Sequence, residues 1–550
     1  MSSNAERQRA IVGKLARGSL FSRLVGPGRK PLRLTAVPRD HVVGDRGRGD
    51  AMLAGRFIVG DEMVALSELD FAALGAFGPL AETLQGFSWL RDLAASAGRE
   101  RGAKVAEALT GRWLVAHGTR IDDAWRPALW GERILFWTAY APYILSSRDQ
   151  GYRSAVLNTL ARGARHLDVS ADKATPGLDR ITAWAGVVSA ALVLQGGLPR
   201  IARAEAGLMR ALATAQFEDG GLMSRSPNEQ YLLVDRLGLL RAAYFAAKQE
   251  LPEGLENAAA AALAALHGVT MGDGALSSWQ GGNPGDPARM AALIEGCGLR
   301  ARPLRQARGW GYQRLSALGT ILVMDAAPPP PARMNPTGGA STLAIEVSDG
   351  AQRLVVNCGG PNPLPSALPA DLVQALRTTA AHSTLTLGDS NSTAVLEDGS
   401  LGKGVDDVTI DRNEDNDSSR LVASHDGYVR SFGLTHERSV MLGNDGKEVR
   451  GQDKLIPKGR KKLKNDASFA IRFHLAPGIE AVPTADGMGA ILRSPGAPPW
   501  NFRCRGAMLG IEESLSIDAH GQAIGTIQLV IVGETSAIGT TIAWQFRRSS

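Results

Sequence analysis

The apolar residues of this chain change rhythm near residue 325. Upstream, Ala and Leu dominate and apolar positions recur at helical spacing. Ala204, Leu208 and Leu212 step by four and so share one helix face. The stretch 254–266 is mostly Ala and Leu, both strong helix formers. Gly/Pro breaks at 196–199, 218–221 and 251–254 predict successive antiparallel helices joined by short turns. No strict repeat demands a regular solenoid.

Four prolines at 328–331 punctuate the change, and downstream the pattern becomes strand, turn, strand. Residues 342–347 and 353–356 flank Ser348-Asp349-Gly350 and predict a hairpin. Asn444-Asp445-Gly446 and Ala485-Asp486-Gly487 mark two more, and 524–532 and 540–546 are also strand-like. Many short strands imply a sandwich or barrel. The predicted organisation is an N-terminal arm and docking segment (1–60), an all-α domain (61–325) and an all-β domain (326–550). A cleft between two such bodies suits an extended ligand.

The length of 550 residues exceeds one ordinary core. Hydrophobic residues at 44% and charged residues at 21% exclude a wholly disordered chain. No run approaches the roughly 20 apolar residues that a membrane-spanning helix needs. Cys297, Cys358 and Cys504 form no CxxC pair, so neither a disulfide scaffold nor a cysteine metal site is expected. Lys and Arg exceed Asp and Glu by six, a weak pointer to an anionic partner over this length. The N-terminus lacks the apolar core of a secretory signal. Cytoplasmic residence is therefore expected, with unusual export to the periplasm as the other route. Residues 8–25 read as a basic helix with Ile11, Leu15, Leu20, Phe21 and Leu24 as its apolar positions. It suits contact with a membrane surface or, as the favoured reading, an arm docked on its own domain. The basic run 458–464 reads as a solvated loop. It has no interleaved aromatics, so no nucleic-acid partner is expected. Phosphate loops, nucleophile elbows and dinucleotide fingerprints do not stand out.

The most informative residues are Arg377-Thr378-Thr379-Ala380-Ala381-His382-Ser383, following Leu354-Val355-Val356-Asn357-Cys358-Gly359-Gly360 by a loop. With Ser424-His425-Asp426-Gly427-Tyr428, His436-Glu437-Arg438, Gly451-Gln452-Asp453 and Ile471-Arg472-Phe473-His474, this order resembles the heparinase II/III-like family of bacterial proteins. Trp130-Gly131-Glu132-Arg133 and Ser224-Arg225-Ser226-Pro227-Asn228-Glu229 resemble its helical part. The resemblance implies an α+β multidomain chain, with an incomplete (α/α) toroid followed by an antiparallel β-sandwich. It also implies a polysaccharide lyase that cleaves uronate-containing acidic glycans by β-elimination. That chemistry needs a group to neutralise the carboxylate, a base for the adjacent proton and an acid for the leaving oxygen.

Carried over residue by residue, the resemblance makes Asn228 the carboxylate neutraliser, Tyr312 the acid or base, and His382 a supporting catalytic group. Arg133, Arg225, Trp279 and Arg377 are the candidate substrate-binding residues. Tyr312 stands in for a family tyrosine absent from 271–282, and Tyr231 and Tyr244 are the other candidates. The family's zinc site is broken. Thr337 lies where histidines are expected, Asn357 replaces an aspartate, and His382 alone is kept, so no metal is expected. These losses support an alternative, a catalytically degenerate relative that binds an acidic glycan or envelope polymer. A third reading, a hydrolase or epimerase, rests on Glu132, Asp179 and Glu229 as candidate carboxylates.

Overall fold

The computed structural model describes residues 32–60, 62–75, 77–362, 368–458 and 466–549. The basic helix expected at 8–25 and most of the basic run 458–464 lie outside the described residues.

Helices occupy the first part of the chain, and their apolar content decides their place. In Leu178–Val193 every residue from Ile181 to Val193 is buried. A helix apolar all round must be enclosed. It packs between Pro127–Ala139 and Pro227–Ala247. Helices Arg99–His117, Gln150–Ser170, Ile201–Ala213 and Glu253–Gly268 bury only part of their surface and form the outer layer. Tryptophans of the inner helices sit over glycines of the outer ones. A Cβ on Gly163 would stand 2.3 Å from the Trp130 ring, and one on Gly207 2.4 Å from that of Trp184. One apolar core runs from Val42 to Ala344. Among the described residues no helix is long and apolar enough to cross a membrane.

The expected hairpins are present, and all strand pairs among the described residues are antiparallel. Ile345–Asp349 pairs with Gln352–Val356, Leu434–Gly443 with Glu448–Pro457, and Glu480–Pro483 with Gly489–Arg493. Two large sheets face each other across a second core that includes Phe473, Phe502, Trp544 and Phe546. One sheet ends at Met508–Ile517, which among the described residues pairs only with Ala523–Thr535. Its other end is the hairpin Tyr312–Ala317 and Thr320–Asp325. The β region therefore begins before residue 326, and the expected boundary moves upstream. The prolines at 328–331 mark the long link from this first hairpin to the next strand. This early hairpin carries the toroid–sandwich junction.

Candidate functional site

The junction is built where helix Pro227–Ala247 starts. Ser226 caps it, its hydroxyl accepting from the Glu229 N–H. Asn228, in the first turn, is half-buried. Its amide donates to Asn283 Oδ1 at 3.3 Å and accepts from the Asn283 N–H at 3.2 Å. Asn228 is thus the candidate residue that keeps both exposure and an amide at the junction.

Tyr312 is placed otherwise than expected. It is 2% exposed, packed against Trp279 and Trp310, and its hydroxyl donates to Arg225 O at 2.6 Å. Burial pushes its pKa well above the ordinary tyrosine value, against the pull of Arg225. A phenol sealed in this way reaches no cleft and is a poor proton donor or acceptor for a sugar. Tyr244 is also buried, its hydroxyl bound to Glu205 at 2.6 Å, and burial raises its pKa too. Burial likewise raises the half-buried Tyr231.

The four substrate-binding candidates are structural in their contacts. Arg225 lies at φ 56° and is ion-paired with Asp325, both buried. Its guanidinium also donates to Trp310 O at 2.9 Å and Pro328 O at 2.8 Å, tying the toroid to the sandwich. Arg133 is fully buried, donates to Gln85 O and Ala124 O, and lies 4.1 Å over the Trp113 ring. Burial lowers its pKa to about 9. Trp279 is fully buried and donates to Ser277 Oγ at 2.6 Å. Arg377 is buried and spends its guanidinium on Gly338 O at 2.9 Å and on Gly399 O. Sequence shows a charge or a ring but not its partners, and here the partners lie up to 103 residues away.

His382 is 4% exposed, and its Nδ1–H donates to Thr378 O at 2.7 Å. Burial lowers its pKa, so the ring is held neutral. The residues at the family's zinc position do not fit the metal. Asn357 accepts from the Ser383 N–H at 2.9 Å and donates to Glu346 at 3.1 Å. The Thr337 hydroxyl donates to Asn335 Oδ1 at 2.8 Å, and the Asn335 amide donates to Ser224 O and Gln280 O. These amides and hydroxyls are spent on one another. Among the described residues, no thiolate or carboxylate donors that zinc favours converge with His382.

Sequence reasoning listed Glu132, Asp179 and Glu229 but not their neighbourhood. Glu82, Asp179 and Glu229 all stand in first helical turns. Glu82 pairs with Arg126 at 3.1 Å and feels the charges of Asp179 and Glu132. Burial raises all of these carboxyl pKa values, Glu229 to about 7 with Asp179 adding to it. Asp179 is exposed, and lost hydration raises its pKa against the pull of Arg126. Glu132 is tied down by Arg236 at 2.6 Å. The helix ends near Asn228 thus gather several carboxyl groups, of which Glu82 and Glu132 are paired with Arg126 and Arg236.

Comparison with known proteins agrees with this architecture. Residues 299–545 match the family described as Heparinase II/III-like, C-terminal. The chain is 28% identical over 545 residues to FtsZ-localized protein C of Caulobacter vibrioides, covering 94% of this chain and 91% of that protein. Its fold is similar to that of heparinase III, with a TM-score of 0.70 at 12% identity over 95% of this chain and 87% of the other. A heparan sulfate lyase of Pedobacter heparinus aligns with a TM-score of 0.58 at 15% identity, over 98% of this chain and 87% of that one. Residues 299–545 match a heparinase II/III-like C-terminal domain, and together with the helices before them they have a fold similar to that of heparinase III.

Proposed function

We propose that this protein binds a glycan or cell-envelope polymer at the toroid–sandwich junction without cleaving it by β-elimination. The observation that carries this reading is the sealed Tyr312, whose hydroxyl is committed to Arg225 O. Elimination needs a base within reach of the sugar proton. The region where the resemblance calls for a second proton-exchanging group holds Asn335 and Thr337 instead, each bonded within the junction. The solved relatives include lyases of heparan sulfate and, with a TM-score of 0.50, a Streptomyces coelicolor chondroitin AC lyase in complex with chondroitin sulphate. They support a glycan as the ligand class. The Caulobacter relative is described by its localisation to FtsZ rather than by a reaction, which supports a localised, non-enzymatic role for this chain. Glu82, Asp179 and Glu229 disfavour a densely sulfated polymer, so the ligand is neutral or weakly acidic. We propose also that the protein works without zinc.

The test is a binding and turnover panel of heparan sulfate, alginate, hyaluronan and a bacterial exopolysaccharide. Binding of the unsulfated polymers, weaker for heparan sulfate, without the absorbance of an unsaturated uronate is expected, reduced by Asn228→Ala and unchanged by EDTA. Formation of unsaturated product that Asn228→Ala abolishes would restore the lyase reading.

A further inference from the structure

A second arrangement of reactive side chains lies in the sandwich, at its end strand. Ser514 sits on the end strand Met508–Ile517 and is half-exposed. Its hydroxyl is 2.7 Å from His474 Nδ1. His474, 2% exposed, lies near the end of strand Ala467–Leu475, which Ala523–Thr535 separates from the end strand, and its Nε2 is 3.0 Å from Ala380 O. A carbonyl oxygen only accepts, so Nε2 carries the ring proton and Nδ1 is left to accept from Ser514. A nucleophile, a base and a group that orients the base are thereby aligned. We propose that Ser514 is the nucleophile of an acyl-ester hydrolase site, with His474 as its base and the Ala380 carbonyl as the orienting group.

The surroundings define the substrate class. Ser514 opens onto a groove of about 430 Å³ lined by Leu372, Ala375, Leu376 and Leu515. This lining accepts a short apolar acyl chain. Glu513 stands on the rim, which favours an uncharged ester. The Ile517 N–H points away from the paired strand, donating to Cys358 O at 2.7 Å. Strand alternation turns the Glu513 N–H the same way, where it meets a developing oxyanion. Cys358 Sγ lies 3.6 Å from His474 Nδ1, but burial pushes that thiol up to about 12, so it remains an uncharged packing group. In the reaction Ser514 Oγ bonds to the ester carbonyl carbon and its proton passes to His474 Nδ1. The C–O bond to the alcohol breaks, and the alcohol leaves with that proton. Water then adds to the acyl-serine through the same imidazole, releasing the carboxylic acid and restoring Ser514. Burial, opposed by the Ala380 carbonyl, lowers His474 to about 3. The base is therefore present throughout pH 5–8 but weak, and acylation by an activated ester is the step to observe.

The full-length protein is treated with a fluorophosphonate probe and with p-nitrophenyl butyrate. Covalent probe on Ser514 by peptide mapping and a burst of nitrophenol are expected, with the burst flat between pH 5 and 7. Ser514→Ala removes both, and Cys358→Ala keeps both, each variant checked for an unchanged melting temperature. An unlabelled native protein, a label retained in Ser514→Ala, or a label mapped to Cys358 overturns the proposal.

Discussion

At the scale of single residues, a fully buried ion pair crosses the junction. Arg225 and Asp325 are 2% and 0% exposed, and Asp325 also accepts from Gln280 at 3.2 Å and from Ser341. Removing one partner leaves a desolvated charge, which costs about 3–5 kcal/mol. Asp325→Ala is expected to lose that much in urea unfolding, and the double variant Arg225→Ala/Asp325→Ala less than the sum of the single ones. Loss of stability equal to that of an exposed pair would contradict this. Glu229 gives a second prediction at this scale. Its raised pKa, about 7, means that it sheds its negative charge as pH falls through neutrality. A uronate polymer held beside Asn228 is therefore expected to bind more tightly at pH 6 than at pH 8, by up to about tenfold. Glu229→Gln should flatten that dependence, and titration calorimetry at the two pH values measures it.

At the scale of elements, the family-like segment Trp130-Gly131-Glu132-Arg133 is explained by packing. A Cβ on Gly131 would stand 2.2 Å from Thr182 O, and one on Gly186 2.5 Å from the Gly131 Cα. Helices Pro127–Ala139 and Leu178–Val193 thus meet glycine to glycine. Gly131→Ala must push them apart and is expected to cost about 1–3 kcal/mol. Gly111, on the outer helix Arg99–His117, would meet only Tyr152 at 3.8 Å, so Gly111→Ala is expected to gain up to about 1 kcal/mol. Chemical denaturation of the two variants checks both signs. The same distinction separates what was legible in the sequence from what was not. Local signals carried the elements: Ser348-Asp349-Gly350 turns a hairpin wherever it stands. The hairpin 312–325 escaped because its turn is Leu318-Gly319, with Leu318 at φ 49° and no Asn or Asp to announce it. The site candidates were legible as residue types only. Whether Tyr312 faces a cleft depends on Arg225 and Trp310 closing over it from other elements, and no local spacing encodes that.

At the scale of the whole molecule, the two bodies respond differently to acid. The sandwich encloses four buried histidines, His382, His425, His436 and His474. Three neutral donors in series link two of them. The Gly427 N–H donates to His425 Nδ1 at 3.1 Å, and the His425 Nε2–H to His436 Nδ1 at 3.2 Å. The His436 Nε2–H then donates to Asp453 at 2.7 Å, which Arg438 and Trp544 also hold. A proton added to either ring removes an acceptor from this chain. Burial lowers the pKa of all four histidines below the ordinary 6.5, foremost through lost hydration. In the unfolded chain they titrate normally, so below pH 6.5 the unfolded state binds more protons. Their stabilising contribution is complete above that pH and is lost as pH falls, each group by up to about 1.4 kcal/mol per unit. In the toroid, His166 and His267 are lowered as well, but both remain partly exposed, and His117 is bound to Asp122 at 2.9 Å. Acid should therefore open the sandwich before the toroid. Hydrogen exchange at pH 7 and pH 5 is expected to show protection falling first in strands Ser418–His425, Leu434–Gly443 and Ala467–Leu475, while Leu178–Val193 keeps its own. Exchange that rises first in the inner helices would place the acid-sensitive groups in the toroid and remove the histidine chain as the cause.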